Sequence, residues 1–417
     1  MKEPISNNVN TNPHKSKHCW VPTNESEEKE KFLTTRKTPK FIFDNSISLS
    51  KYFTIKKIGS IHFDLYHESK HILDKILSKF GTFDHYILAS FGKRLSDDQV
   101  ANRVKSYLEE KKLSEIVSIS YVRNIACSAK LNSMGYSRCL NKPEFRKYNL
   151  LINICTDNIF LREYGIDCLL DHELGTHFIR AFNEGFQPWF WNRSRFGLSA
   201  TNNYENKQIE EGLATINTLL SAKQKYLGTS AILYYATCMA NFLSFGQLFD
   251  HLQKYIANPD HRWKHCVRIK RSLKNVDEVG GYAKDQCYFE GAVYLLANVS
   301  NIDFNLLCCG KVSVRDLNRI RRIARLNGLQ TPSFMTNLVK YKRELLSIAK
   351  LNEISTIPSV PHSNQKQNGK FPKFPPMTNK IEKPNQIIKI NNYLKTKKFS
   401  KDPRILQMTD ELRLPRI

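Results

Sequence analysis

The amino-acid sequence predicts an α+β fold in which a small antiparallel sheet precedes a mainly helical region. Between residues 115 and 155, short apolar runs are separated by Gly, Asn and Pro, a pattern typical of three or four antiparallel strands. After Cys155, apolar residues recur at helical spacing almost to residue 351. We therefore expect one folded region, residues 61–352, with the sheet in its first half.

Three elements are predicted ahead of this sheet. Apolar residues recur at helical spacing over residues 65–80, which predicts a first helix. The run His85–Ser90 is expected to form a short strand. Ser96 is followed three residues later by Gln99, and this capping-box pattern predicts a helix that extends to Lys111.

Seven helical segments are predicted after the sheet. In order, they are residues 159–183, 208–225, 230–243, 245–257, 284–299, 313–326 and 332–351. Ser244 and Ser313 precede two of these segments and are their expected N-caps.

Both ends of the chain are polar. Residues 1–60 are rich in Asn, Lys, Ser, Thr, Glu and Pro, and we expect them to be disordered. Residues 353–417 lose helical periodicity and gain Pro, Asn, Gln and Lys, which predicts a basic and mostly disordered tail. This tail is either a solvated extension or an additional contact for an acidic partner.

The charge balance indicates an anionic partner. The net charge is +25, because 64 Lys and Arg residues outnumber 39 Asp and Glu residues. Nucleic acid, anionic lipid and an acidic protein surface all fit this excess. No nucleic-acid recognition motif accompanies the charge, and the most apolar run, residues 231–245, is too short and too polar to span a bilayer. The ten cysteines lack CxxC spacing, which favours free thiols and a cytoplasmic protein.

The stretch Asp171–His177 is the first candidate site. Two imidazoles and a carboxylate lie inside an otherwise apolar helical segment, where they are costly to bury unless a metal binds them. His172 and His177 are five residues apart, which separates them by about 140° on a regular α-helix. One inserted residue, in a π-helical turn, would restore the geometry, and Gly175 would tolerate it. We therefore predict a locally widened helix at Gly175.

Two imidazoles and a carboxylate on one helix suggest a zinc peptidase as a working hypothesis. A third ligand is then needed, because zinc in a hydrolase typically takes three protein ligands and a water. The best candidate region is Gln208–Ala214, where Glu210 and Glu211 are adjacent on a predicted helix. One of the two should face the site and the other the solvent, and spacing alone does not decide which. Acidic residues near a helix start are also common as partners of the helix dipole.

These two motifs and a series of shorter motifs, the shorter matches, occur along the chain in the same order as in one known protein family. The shorter matches are Gln187–Trp189, Arg262–Trp263, Cys266–Arg268, Lys270–Arg271, Lys284–Gln286, Tyr288, Gly291 and Gly310–Ser313. The combination resembles the microtubule-associated tyrosine carboxypeptidase family over residues 85–350. The resemblance implies a zincin-like catalytic domain that removes the C-terminal tyrosine from α-tubulin.

The resemblance also implies roles for individual residues. His172, His177 and Glu211 match the family's zinc ligands, one Zn²⁺ per chain, and Glu173 matches its catalytic carboxylate. A carboxypeptidase must also bind a terminal carboxylate, a task suited to Arg or Lys. Arg268 and Lys284 are the favoured cations for this task, and Tyr288 is the candidate oxyanion donor.

The implied partners are the α-tubulin C-terminal tail and microtubules, with no nucleic acid and no membrane. The implied location is the cytoplasm, on the microtubule cytoskeleton. Two other interpretations remain open at this point. The first is a zinc carboxypeptidase that acts on other proteins with C-terminal aromatic residues. The second is a non-catalytic basic protein that binds microtubules or nucleic acid through charge alone.

Overall fold

The computed structural model describes residues 21–43, 60–123, 125–134, 146–155, 157–271, 273 and 275–358. These residues combine a small sheet with many helices, which confirms the predicted α+β class. Within this part of the chain, every helix is too short or too polar to cross a lipid bilayer.

Helix α1, Glu25–Thr35, corrects the expectation of disorder over residues 1–60. Phe32 on this helix is 1% exposed and lies against Trp263, with ring centroids 5.5 Å apart. Glu25 accepts a hydrogen bond from Trp263 Nε1 at 3.2 Å. Most residues of this helix are polar, so its sequence lacks the apolar periodicity that predicts a helix. Much of the remaining N-terminal segment lies outside the described residues.

Helix α2, Tyr66–Phe80, confirms the first predicted helix. The predicted strand His85–Ser90 is wrong, because these residues belong to helix α3, Phe83–Phe91. The Thr82 side chain accepts a hydrogen bond from the backbone N–H of His85 and so caps the start of this helix. A short apolar run does not distinguish a buried helix from a strand. Here the run forms a helix that Thr82 caps.

Helix α4, Asp97–Glu110, confirms the predicted capping box. The Ser96 hydroxyl accepts from the backbone of Gln99, and the Gln99 side chain accepts from the backbone of Ser96.

The sheet contains strands β1, Val117–Val122, β2, Ala129–Met134, and β3, Lys147–Asn153, in the order β1-β3-β2. Strands β2 and β3 are antiparallel, as predicted, whereas β1 and β3 are parallel. The prediction of a purely antiparallel sheet is therefore wrong. The alternation of side chains along a strand has period two in either pairing, so the pattern cannot distinguish them. The predicted run over residues 135–140 lies outside the described residues.

The helical region begins with α5, Gly165–His172, and α6, Ile179–Glu184. It continues with α7, Tyr204–Thr218, α8, Gly228–Ala240, α9, Phe245–His251, α10, Pro259–Lys270, α11, Cys287–Ala297, α12, Phe304–Cys308, α13, Leu317–Ile320, and α14, Leu338–Leu351. The Ser244 side chain caps α9, as predicted. Ser313 precedes a short 3₁₀ turn, and both its N–H and its hydroxyl donate to the Asp316 carboxylate.

Two helical predictions need correction. Helix α10 was missed because its sequence is strongly charged, although Asn258 caps it and Pro259 occupies its first turn. The segment predicted as one helix over residues 313–326 contains only the 3₁₀ turn Val314–Asp316 and the short helix α13. Most of residues 321–326 are exposed, so a longer helix would have no apolar face to bury there.

Two packing contacts position the candidate site. The sheet packs on the segment that carries both imidazoles, with Leu150 and Ile152 in one core cluster with Leu170 and Leu174. Helices α7 and α11 cross with their backbones in contact, because a Cβ on Gly291 would lie 1.7 Å from the backbone oxygen of Gln208. This close crossing holds α7 and its two carboxylates against the rest of the helical region.

Candidate metal centre

The two imidazoles lie on one side of a widened helix. Helix α5 ends at His172, and a π-helical segment, Glu173–Phe178, joins it to α6. The hydrogen bonds of a π-helix span five residues, so residues with this spacing lie above one another. The ring centroids of His172 and His177 are 4.9 Å apart. The predicted widening of the helix between them is confirmed.

Gly175 lies within the widened turn for a reason that the sequence did not reveal. A Cβ at this position would lie 2.7 Å from Cε1 of Phe334, closer than atoms pack. The Phe334 ring is stacked on Tyr341, with centroids 5.9 Å apart. The backbone φ angle of Gly175 is not positive. Gly175 therefore provides room for an aromatic ring, and backbone freedom is not what this position requires.

Glu211 on α7 completes a group of three candidate ligands. Its Oε2 atom lies 3.4 Å from Nε2 of His177 and 3.9 Å from Nε2 of His172. One ligand atom from each residue lies within 4.8 Å of the others. Donor atoms around a tetrahedral zinc ion are roughly 3.3 Å apart. The three residues therefore fit Zn²⁺ in both donor type and separation.

Glu210 does not face the solvent, which corrects the expectation that only one of the two adjacent glutamates points inward. Its side chain is 13% exposed and accepts a hydrogen bond from Nδ1 of His177 at 2.8 Å. It also forms ion pairs with Arg180 and, at 3.1 Å, with Lys311. Glu210 and Glu211 thus contact opposite nitrogens of the same imidazole. For the ion pair between Lys311 and Glu210, the only signal in the sequence was the Gly310–Ser313 match, which contains Lys311.

Thr218 orients the other imidazole. Its hydroxyl donates to the backbone oxygen of Ala214 at 2.8 Å, so it can only accept from Nδ1 of His172, 3.0 Å away. Nδ1 of His172 therefore carries the proton, and Nε2 presents its lone pair towards Glu211. Sequence reasoning missed Thr218. Its position seven residues after Glu211, two helical turns along the same face, was the available signal.

The charges of this group favour a cation at its centre. Burial, together with the neighbouring His177 charge, lowers the pKa of His172 to about 3. Burial also opposes a charge on His177, but the carboxylates of Glu211 and Glu210 outweigh it and raise the pKa of His177 to about 10. A positive charge between these carboxylates is therefore stabilised.

Glu173 follows His172 directly and faces the same cavity. Its side chain is buried, and this burial raises the pKa of Glu173 to about 7. A carboxylate with a pKa near neutrality can both accept and return a proton under physiological conditions. Glu173 is thus a candidate proton carrier in the cavity that the three candidate ligands line.

A cavity of about 630 Å³ contains these groups. Its lining includes His172, Glu173, His177, Glu211, Arg268 and Tyr288 together with the lysines Lys130, Lys207 and Lys311. Six of the seven predicted site residues are thus brought together. Lys284, the seventh, is partly buried on a 3₁₀ turn and is not part of this lining.

Arg268 and Tyr288 are neighbours on the cavity wall. The guanidinium carbon of Arg268 lies 5.6 Å from the centroid of the Tyr288 ring, and Arg268 Nε donates to Asp285 at 2.7 Å. Burial and the nearby Glu211 charge raise the pKa of Tyr288 well above its ordinary value. The phenol therefore stays protonated and is able to donate a hydrogen bond into the cavity.

Comparison with known proteins identifies the family of this chain. The family model described as "Microtubule-associated tyrosine carboxypeptidase" matches residues 149–355. "Microtubule-associated tyrosine carboxypeptidase 1" of Homo sapiens is 31% identical over 338 residues, which are 80% of this chain and 67% of the human protein. This chain belongs to the microtubule-associated tyrosine carboxypeptidase family. The protein of the same name from Mus musculus is 31% identical over 339 residues, 80% of this chain and 68% of the mouse protein.

The part of the chain that matches the family model contains the entire candidate centre. It begins within β3 and extends past α14, so that it includes both imidazoles, Glu173, Glu211, Arg268 and Tyr288. Membership of the tyrosine carboxypeptidase family confirms the resemblance found in the sequence. Strand β2 lies before the matched region, although its residue Lys130 lines the cavity.

Proposed function

We propose that this protein is a zinc-dependent carboxypeptidase that removes the C-terminal tyrosine from α-tubulin. The observation that carries the proposal is the convergence of His172, His177 and Glu211 beside Glu173 in one cavity. This convergence occurs in a chain that belongs to the microtubule-associated tyrosine carboxypeptidase family.

In the proposed site, His172, His177 and Glu211 would hold one Zn²⁺ per chain. Bound zinc supplies Lewis acidity, which activates water and polarises a carbonyl group. Glu173 accepts the proton of the attacking water and returns it to the leaving amine of the tyrosine. The near-neutral pKa of Glu173 suits both steps.

Two further residues are assigned to the substrate. Arg268 binds the terminal carboxylate, because a guanidinium donates in a fork that matches a carboxylate. The Asp285 carboxylate occupies Nε of Arg268 and orients the group on the cavity wall. Tyr288, held protonated near Glu211, donates to the oxyanion that forms at the scissile carbonyl.

The basic charge supports an acidic protein substrate. The net charge is +25, and three lysines line the cavity in addition to Arg268. Such a surface attracts the acidic tail of α-tubulin and makes its binding sensitive to salt. We therefore propose that the protein acts on microtubules, and its relatives are named microtubule-associated tyrosine carboxypeptidases.

Tyrosine release from purified tubulin tests the proposal. Wild-type protein should release tyrosine from intact tubulin and none from tubulin that already lacks its final tyrosine. Glu173→Gln should bind zinc and microtubules normally but lose release by about 10²- to 10⁴-fold, the usual share of general base catalysis. Equal release by wild type and Glu173→Gln would contradict the proposal.

The same assay separates the other interpretations. If the wild type releases aromatic residues from unrelated proteins as fast as from tubulin, the enzyme is a broader carboxypeptidase. If the wild type releases nothing and purifies without zinc, the protein is a binder that acts through charge alone.

A further inference from the structure

We infer that Glu210 is a positioning residue that fixes the tautomer and orientation of His177 through a partly buried Arg180–Glu210–His177 chain. The inference rests on the proposed zinc site and adds to it a residue that does not touch the metal. Adjacent positions on α7 thus divide two tasks between them, with Glu211 next to Nε2 of the His177 ring and Glu210 next to Nδ1.

The contact between Glu210 and His177 fixes where the imidazole proton lies. Glu210 Oε1 is 2.8 Å from Nδ1 of His177. An ionised carboxylate can only accept a hydrogen bond, so Nδ1 must donate. The lone pair of a neutral His177 ring is then on Nε2, the atom that lies 3.4 Å from Glu211 Oε2. Rotation of the ring would break the Glu210 contact.

Arg180 makes Glu210 a rigid support. The Arg180 side chain is 1% exposed, and its guanidinium donates to the backbone oxygens of Leu307 at 3.3 Å, Gly310 at 3.1 Å and Val312 at 2.6 Å. The Nη1 group of Arg180 donates to Glu210 Oε2. These carbonyl groups belong to α12 and the loop after it, so the orientation of His177 depends on a part of the fold well beyond its own helix.

The two candidate histidine ligands are therefore supported unequally. Behind His172 is a neutral hydroxyl, that of Thr218. Behind His177 is a carboxylate, which makes the imidazole a stronger electron donor as well as orienting it. Because of this difference, loss of the Glu210 charge should weaken zinc binding more than loss of the Thr218 hydroxyl.

The test measures zinc affinity by competition with a chromogenic chelator. Glu210→Gln should bind zinc about 10- to 100-fold more weakly than wild type, the range typical for loss of such a support. Glu205→Gln is the matched control on the same helix. Glu205 pairs with Arg315 at 2.9 Å away from the metal cluster, and this variant should keep wild-type affinity.

A second readout separates positioning from a purely structural effect. An amide at position 210 is a weaker acceptor than a carboxylate and can also donate, so it holds the Nδ1–H group of His177 less firmly. In zinc-bound protein, the ¹H–¹⁵N signal of the His177 Nδ1–H group should lie far downfield in wild type and Glu205→Gln, because this group donates to a carboxylate. The signal should move upfield in Glu210→Gln, whereas the Nδ1–H signal of His172, which faces Thr218, should stay unchanged. Unchanged zinc affinity together with an unchanged His177 Nδ1–H signal would overturn the inference.

A double variant keeps the test valid if Glu210→Gln folds poorly. Glu210→Gln leaves the buried Arg180 charge without its carboxylate, which is destabilising. Arg180→Met/Glu210→Gln removes both charges together, and it should show the same weakening of zinc binding and the same upfield shift of the His177 Nδ1–H signal. If wild type itself fails to bind zinc, the proposed function fails. If wild type binds zinc and the double variant binds it equally well, only this inference fails.

Discussion

His172 and His177 are five residues apart in the chain, yet their ring centroids are only 4.9 Å apart. A regular α-helix would separate these residues by about 140° around its axis. The π-helical segment Glu173–Phe178 removes this separation. The pairing of the two imidazoles is thus a property of the distorted backbone, and the predictions below concern the groups that use or maintain it.

Loss of one imidazole should remove the metal. We expect wild-type protein to retain one zinc per chain after dialysis and His172→Ala to retain less than about a tenth of that, because two ligands bind zinc far more weakly than three. Elemental analysis of the dialysed proteins measures this. The control is His71→Ala, which changes an exposed histidine paired with Glu353. Full zinc content in His172→Ala would exclude the proposed ligand set.

The Gly175 position should reject even one methyl group. Gly175→Ala forces a contact with Phe334, and we expect the free energy of unfolding to fall by about 1–2 kcal/mol. This loss would occur although alanine is the better helix former by about 1 kcal/mol. Urea unfolding measures the change. Gly175→Ala/Phe334→Leu should recover most of it, since the smaller side chain relieves the contact, and an absence of recovery would contradict this account.

The crossing of α7 and α11 should be more sensitive still. Gly291→Ala places a methyl group against the backbone oxygen of Gln208, which has no rotamer with which to move away. We expect a loss of about 3 kcal/mol in unfolding free energy together with weaker zinc binding, because α7 carries Glu211. Thermal unfolding and chelator competition measure the two effects.

The control for that crossing is Gly246→Ala on α9, where the nearest atom to an added Cβ is 3.9 Å away. This change should be neutral or slightly stabilising, as expected for alanine in an open helical position. Equal effects of the two alanine substitutions would show that helix contact does not set the need for glycine at position 291.

Arg268 should determine recognition of the free C-terminus. Arg268→Gln should lower kcat/KM for a tyrosine-terminated peptide by about 10- to 100-fold, mainly through KM, because a charged hydrogen bond to the carboxylate is lost. Arg271→Gln is a close control: Arg271 also pairs with Asp285, at 3.3 Å, but does not line the cavity. Steady-state kinetics with free-acid and C-terminally amidated peptides measure the difference.

Wild type should strongly prefer the free acid over the amide, and Arg268→Gln should have lost that preference. If Arg271→Gln lowers kcat/KM as much as Arg268→Gln, then Asp285 and the wall it supports matter more than the Arg268 charge. If neither variant changes the preference, the terminal carboxylate is bound elsewhere, with Lys130, Lys207 and Lys311 as the remaining cations that line the cavity.

Elements that depend on neighbouring residues in the chain were predicted correctly. Predictions failed where local patterns are ambiguous or where contacts between distant residues determine the structure. The capping box at Ser96 correctly predicted α4, since the interaction is complete within four residues. The run at residues 85–90 was assigned the wrong structure, because a short apolar run is equally compatible with a strand and with a buried helix. Helix α1 went unnoticed because Phe32 is buried by residues more than 200 positions away.

The sequence by itself determined the α+β class and the widened helix between His172 and His177, whereas the choice of Glu211 over Glu210 as third candidate ligand came from the family resemblance. The class and the widened helix depend on residue type and on short spacing, which are visible in the chain. Only the tertiary structure decided that Glu210 turns inward, that Thr218 and Arg180 support the site, and that Lys284 stays outside the cavity. These outcomes depend on how α7, α11 and the loop after α12 meet, and no local pattern encodes the relative placement of distant elements.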